Sequence, residues 1–347
     1  MNISHHRLFA TLLGFLLFLS SNTSLFAADP EPTPDDPKLA IEEIAAGQRT
    51  TASAEWWGFN QEDSTEAIQA AINSGAPRVV IPFVGRPWIV RPITLRSNLE
   101  LIIDPGVLVL AKSGEFPSPG DSLFSANDLE NITITGYGAV WRMRKKDYQS
   151  PPYKKGEWRM GLRIQGSRNV TVSGLRIESS GGDGFYIGSS GKNRWAENIT
   201  LKDCIAHDNH RQGLSITSGQ NILVENCIFS NTSGTAPEAG IDLEPDSPDE
   251  RLANCIIRNC VLEGNSGHGA LVYLKPLTGE SHPISVRFEN CVSRMGHPGM
   301  TPRDFTDVTQ TGWSGFSVGA VRDGGPQGLV EFINCTAENT GKEGAKV

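Results

Sequence analysis

The chain lacks a basic excess. Its 31 Lys and Arg stand against 39 Asp and Glu, for a formal net charge of -8 over 347 residues. With no basic stripe, nucleic acid is excluded as the expected partner, and an acidic substrate is mildly disfavoured. Hydrophobic residues are also scarce, at 38%, while glycine is plentiful, at 37 residues. That balance suits many short strands and turns better than long helices. The apolar run Leu8 to Leu19 is too short to cross a bilayer, so the mature chain is expected to have no membrane span. No cysteine lies near the start, which disfavours a lipid anchor. His5, His6 and Arg7 before that run, and Ala27 and Ala28 after it, read as a secretory signal over residues 1–28. A secreted or periplasmic location is therefore expected. The Pro/Asp-rich stretch that follows reads as a linker over 29–50, with one domain from 51 to 347.

What is present is a repeat. Asn198-Ile-Thr-Leu-Lys-Asp-Cys204 returns as Asn221-Ile-Leu-Val-Glu-Asn-Cys227 and as Asn254-Cys-Ile-Ile-Arg-Asn-Cys260. Asn169-Val-Thr-Val-Ser-Gly-Leu175 is the same phrase with Leu in the cysteine slot. A second phrase opens on glycine: Gly184-Phe-Tyr-Ile, Gly213-Leu-Ser-Ile, Gly240-Ile-Asp-Leu and Gly269-Ala-Leu-Val. A short, irregular period with alternation inside each phrase predicts a solenoid of strands. Cys204, Cys227, Cys260, Cys291 and Cys335 share one slot, so they would stack about 4.8 Å apart. Parallel stacking suits an apolar column of free thiols better than disulfides, which require converging Cβ atoms. Disulfides remain the alternative for a secreted chain. Asn131, Asn169 and Asn198 precede Thr as parts of the repeat, so they read as structural rather than as glycosylation sites.

Residues 61 to 75 read as a helix. Asp63 serves as its cap, Ala67, Ile68, Ala71 and Ile72 form its apolar face, and Gly75 stops it. Val79 to Pro82 then reads as a buried strand. The phrase Asp63 to Ile72 followed by Val79 to Pro82 resembles the opening of secreted proteins of the pectate-lyase/polygalacturonase-like superfamily. The resemblance implies an all-β, right-handed parallel β-helix with an N-terminal capping helix. The cap meets a physical need, because an open coil exposes core and strand edges.

Two insertions interrupt the repeat, at 142–160 and at 296–312. The first carries Arg142, Arg144, Lys145, Lys146, Tyr148, Tyr153, Lys154, Lys155 and Trp158. Charge for an anion and rings for a pyranose would suit a sugar acid or sulfated sugar; a solvated loop packed by its aromatics is the alternative.

Aligning the second phrases on glycine places Asp183, Tyr186, Arg211, Asp242, Glu244, His268 and Tyr273 on one outward face. The first candidates for catalysis are Asp242 and Glu244, then Asp183, Arg211 and His268. Tyr186, Tyr273, Trp158 and Lys275 are candidates for substrate contact. Asp242 and Glu244 are about 6.6 Å apart along a strand, and Asp183 is about 9.6 Å from Asp242 across two coils. Inverting glycosidases separate their two carboxyls by roughly 6.5–9.5 Å.

Polygalacturonase-type hydrolases carry Asn-Thr-Asp, Asp-Asp, Gly-His-Gly and Arg-x-Lys on successive coils. Here Gly182-Asp-Gly184 and Gly267-His-Gly269 are similar, but Arg211-Gln212 stands where the paired Asp belongs. The acids come one coil later, in Gly240-Ile-Asp-Leu-Glu-Pro245. The expectation is a polysaccharide-cleaving glycoside hydrolase acting through paired carboxylates without a cofactor. One alternative is a polysaccharide lyase or epimerase acting on uronates, with Ca²⁺ held by Asp183, Asp242 and Glu244 and with Arg211, Lys275, His268 or Tyr186 as base or acid. Another is a non-catalytic glycan-binding surface protein.

Overall fold

In the computed structural model, the residues described are 36–294, 314–319, 321, 323–340 and 343–347. The signal segment, residues 29–35 of the Pro/Asp-rich stretch and the second insertion lie outside them. The described chain is a right-handed parallel β-helix built from three parallel sheets. Each coil lays one strand in each sheet in turn. Leu252–Arg258, Val261–Glu263 and Ala270–Tyr273 are one such circuit. Strands one coil apart pair in register, as Leu201, Val224, Ile257 and Phe288 do in the first sheet. These residues point inward and are fully buried, which fills the solenoid with stacked apolar side chains.

The asparagines of the repeat have a physical explanation. Asn131, Asn169, Asn198, Asn221 and Asn254 all hold a left-handed backbone, with φ between 52° and 59°. Asparagine tolerates that conformation at low cost. Each amide also donates to the asparagine one coil back: Asn254 to Asn221 at 2.9 Å, Asn221 to Asn198 at 3.0 Å and Asn198 to Asn169 at 2.9 Å. The cysteine slot is a second column. Cys204, Cys227, Cys260 and Cys291 are buried, Cys335 is half-buried, and all six cysteines including Cys255 are free. Thiol S–H groups donate to backbone carbonyls, as from Cys204 Sγ to Lys202 O at 3.2 Å.

The helix expected at 61–75 runs over Thr65–Asn73. Asp63 stays outside it and accepts the Thr65 amide at 3.0 Å, with Arg91 and Lys112 on its other oxygen. Its face of Ala67, Ile68, Ala71 and Ile72 is buried against the first coils. A second helix, Pro37–Ala45, falls in the stretch read as linker. Asp36 caps it, and Ala40 and Ile44 are buried, so this part of the stretch is packed structure.

Candidate functional site

The site is built on the third sheet, whose strands include Leu162–Gln165, Phe185–Gly188, Gln212–Ile216, Ala239–Leu243 and Ala270–Tyr273. Each of these strands follows a sharp corner out of the second sheet. Gly213 shows why glycine marks that corner: a Cβ there would lie 2.5 Å from the Gly240 carbonyl oxygen and 2.9 Å from Phe229 Cβ. Beyond the corner, the register aligns Arg163, Tyr186, Ser215, Asp242 and Leu271 in one ladder. Their neighbours Leu162, Phe185, Leu214 and Ile241 fill the core.

The expected register is therefore observed, but the open patch is not. Asp183 and Asp242 are both 0% exposed, and His268 only 9%. The first insertion folds against the corner that precedes the Phe185–Gly188 strand, where Arg159 pairs with Gly181. A Cβ at Gly182 would lie 2.5 Å from the carbonyl oxygen of Glu157. The basic and aromatic residues of the insertion mostly hold it down. Arg159 is buried, donates to the carbonyls of Phe116, Pro117 and Lys154, and stacks on Tyr148 at 5.1 Å. Lys145 Nζ pairs with Asp208 at 2.8 Å and reaches Ser233 Oγ at 3.0 Å. Arg142 pairs with Glu178. Of the two readings of this loop, packing accounts for these residues. Lys154, Lys155 and Trp158 remain wholly or partly open to solvent.

Four of the expected residues form one electrostatic unit. Arg211 Nε stands 4.0 Å from Asp183 Oδ1, and its side chain is only 13% exposed. Burial works against the guanidinium, but Asp183, Asp242, Glu157 and Glu244 together hold its pKa above the ordinary value. Burial pushes the Asp183 carboxyl up to about 6, with Arg211 and the Ser215 hydroxyl pulling the other way. Neither Asp183 oxygen has a hydrogen-bond partner within ordinary reach among the described residues. Asp242 is raised well above the usual carboxylate range, first by burial and then by the nearby charge of Glu244. One Asp242 oxygen accepts from Gln212 Nε2 at 2.9 Å, and the other is buried without a partner among the described residues.

The other candidates flank this unit. Tyr186 OH meets Thr217 Oγ1 at 3.0 Å, and burial raises its pKa. The Trp158 ring is 48% exposed, and its carbonyl accepts from Arg163 at 2.9 Å. His268 lies one coil beyond Asp242, at the mouth of the Ala270–Tyr273 strand. Tyr273 ends that strand half-buried, and Lys275 is exposed just past it.

Gln212, Glu157 and Ser215 also belong to the site, although the sequence pattern does not single them out. Gln212 occupies the slot of the missing paired Asp and also accepts the Ala239 amide at 2.9 Å, which fixes its carboxamide against Asp242. That slot is its signal. Glu157 has none, since nothing in the sequence shows where an insertion folds. The Gly-His-Gly phrase has a packing cause in part: a Cβ at Gly267 would lie 1.7 Å from the Pro237 carbonyl oxygen.

Among the described residues no three acid, histidine or cysteine side chains are placed to hold a metal ion. Arg211 stands on the coil between Asp183 and Asp242 and already supplies the positive charge there.

Residues 154–295 match the family described as right handed beta helix region. Two Bacillus subtilis proteins are similar. One is the uncharacterized protein YclG, 30% identical over 52% of this chain and 34% of that protein. The other is the SPbeta prophage-derived uncharacterized protein YorA, 27% identical over 54% and 37%. The matches thus span about a third of the length of each relative. Three solved structures share the fold. The polygalacturonase from Erwinia carotovora ssp. carotovora is 14% identical, with TM-score 0.51, over 86% of this chain and 94% of that one. An iota-carrageenase complexed to iota-carrageenan fragments is 13% identical, with TM-score 0.56, over 85% and 90%. Tailspike protein gp49 of Acinetobacter baumannii bacteriophage Fri1, a capsular polysaccharide depolymerase, is 14% identical, with TM-score 0.52, over 84% and 49%. No helix among the described residues is long and apolar enough to cross a membrane.

Proposed function

We propose that this right-handed parallel β-helix protein is a secreted glycoside hydrolase that cleaves a polysaccharide across the outward face of its third sheet. The observation that carries the reading is the pair of buried carboxyls, Asp183 and Asp242, on either side of Arg211 with their pKa values pushed up by burial. They stand two coils apart with Arg211 on the coil between, and such a hydrolysis uses one carboxyl as acid and the other as base. Asp242, kept protonated by Glu244, gives its proton to the leaving oxygen as the glycosidic C–O bond breaks. Asp183 takes a proton from the water whose oxygen bonds to the anomeric carbon. Arg211 keeps Asp183 ionised at neutral pH and steadies the charge that builds between the two acids. The polysaccharide-acting proteins among the fold neighbours support the substrate class. Export rests on the apolar run Leu8 to Leu19.

The test is reducing-end release from a panel of neutral, amino, uronic and sulfated polysaccharides, with Ca²⁺ and with chelator, beside Asp242→Asn. Product that disappears in the variant supports hydrolysis at this site. An unsaturated product that needs Ca²⁺ would replace this reading with the lyase. The full burial of Asp183 and Asp242 favours one other reading, glycan binding without turnover; binding without product on every polymer would select it.

A further inference from the structure

Gln212 governs how Asp242 can hold a proton. Both side chains are fully buried, on neighbouring strands of the third sheet. The Gln212 carboxamide has one possible orientation. The Ala239 backbone N–H can only donate, so the atom that accepts it at 2.9 Å is Oε1. The amino end therefore meets Asp242, and it donates to Oδ2 at 2.9 Å. The other oxygen, Oδ1, is buried without a hydrogen-bond partner among the described residues. The nearby guanidinium of Arg211 is placed on Asp183 instead. A carboxyl buried with one neutral hydrogen bond and no paired cation is held in its neutral form, and the charge of Glu244 acts in the same direction.

We infer that Gln212 is a positioning residue that keeps Asp242 Oδ2 as the carbonyl oxygen and so places the Asp242 proton on Oδ1. Of the two oxygens of a neutral carboxyl, the carbonyl is the better acceptor. A proton on Oδ2 would set the Gln212 N–H against a hydroxyl oxygen and leave the carbonyl, Oδ1, with nothing to accept. Ala239 and Asp242 lie on the same strand, so the backbone pairing of two coils fixes both ends of the carboxamide. In the slot where polygalacturonase-type hydrolases carry a second acid, this chain carries a donor that does not titrate. The inference deepens the proposed function, because it rests on Asp242 as the group that gives its proton.

The test is the carbonyl stretch of the protonated carboxyl. It is read by infrared difference spectroscopy during a pH titration of the purified protein and assigned by its loss in Asp242→Asn. A hydrogen bond lowers that stretch. Asp183, whose oxygens have no partner among the described residues, supplies the free-carbonyl reference below about 6, assigned by Asp183→Asn. The Asp242 band is expected below the Asp183 band. Gln212→Met, of similar size but without a donor, should raise it to the Asp183 position. If that variant does not fold, the order of the two bands in the wild type still decides. An Asp242 band level with that of Asp183, a band that Gln212→Met leaves in place, or an Asp242 that titrates at the ordinary 3.8 would overturn the inference. Cleavage is read separately. Gln212→Met removes a donor that favours the carboxylate, so the alkaline limb of the pH–rate profile should move up by about 1 pH unit. With the proton divided between two oxygens, kcat should fall about twofold at unchanged KM. The expected bands with no cleavage of any polymer would leave the proton placement standing and remove the hydrolase reading. Cleavage with both band and limb unmoved by Gln212→Met would do the reverse.

Discussion

Arg211 Nε lies 4.0 Å from Asp183 Oδ1, and this guanidinium holds down the pKa of a carboxyl that burial drives up. Asp183 stands at about 6 with Arg211 beside it. If Asp183 is the base, activity rises as pH passes through about 6. Replacing Arg211 with Met removes the charge that lowers this pKa. The acidic limb of the pH–rate profile should then move upward by about 1 pH unit or more, with activity at pH 7 falling about twofold for a shift of one unit. A profile whose limb stays put in Arg211→Met would assign the limb to another group.

Glu244 acts on Asp242 in the opposite sense. Its negative charge raises the Asp242 pKa, in addition to the effect of burial. Glu244→Gln removes the like charge, so Asp242 should lose its proton at lower pH and the alkaline limb should move down. Activity below that limb should change little, which separates a positioning role for Glu244 from a role in proton transfer. If Glu244→Gln abolishes activity at every pH, Glu244 itself handles the proton.

The same burial destabilises the fold. A carboxyl whose native pKa is raised binds more protons folded than unfolded between the two pKa values. Stability is then lost as pH rises from 3.8 through about 6. For Asp183 this cost at pH 7 and above is about 3 kcal/mol, because a displacement of one pH unit in a pKa corresponds to about 1.4 kcal/mol. Asp183→Asn should therefore raise the melting temperature at pH 8 and change it little at pH 4. Comparing thermal unfolding at the two pH values checks this, and equal effects at both would show that folding does not displace the Asp183 pKa.

Much of this is legible in the sequence because the solenoid writes the same instruction on every coil. Gly213, Leu214 and Ile216 in one phrase have counterparts in the next, so inward and outward positions can be aligned without coordinates. That alignment brings Asp183, Arg211, Asp242 and Glu244 together. It cannot reveal burial, because segments between the phrases, such as the 142–160 insertion that packs against Gly182, have no counterpart in other coils. Lys145 reads as a binding cation in the sequence and is instead tied to Asp208 and Ser233, under the loop that carries it. Helix Pro37–Ala45 escapes a reading of composition for a related reason: Pro and Asp, which suggest a linker, are here the N1 residue and the cap.

The cysteine column has a chemical readout. All six thiols are free, and only Cys335 is more than slightly exposed. Burial pushes the Cys255 thiol up to about 12. Cys335 is the one thiol that a reagent can reach, so the native protein should react there first and leave the buried thiols protected. In denaturant all six should react. Fewer than six under non-reducing denaturation would mean that disulfides do form in this column.

The asparagine ladder separates two contributions that a single substitution would merge. Asn198 sits at φ 56°, donates to Asn169 at 2.9 Å and accepts from Asn221 at 3.0 Å. Asn198→Gly keeps the left-handed backbone accessible but loses both hydrogen bonds, and it adds freedom to the unfolded chain. Because the ladder is exposed, the loss should be about 1 kcal/mol. Asn198→Ala loses the same bonds and must also place a Cβ in the left-handed region, for about 1–2 kcal/mol more. The order of urea midpoints should therefore be wild type, then Gly, then Ala, at unchanged slope. If Ala and Gly were equally stable, the column of asparagines would owe its existence to hydrogen bonding alone. If Gly matched the wild type, backbone geometry would be the whole reason, and the ladder bonds would contribute nothing measurable to holding the coils together.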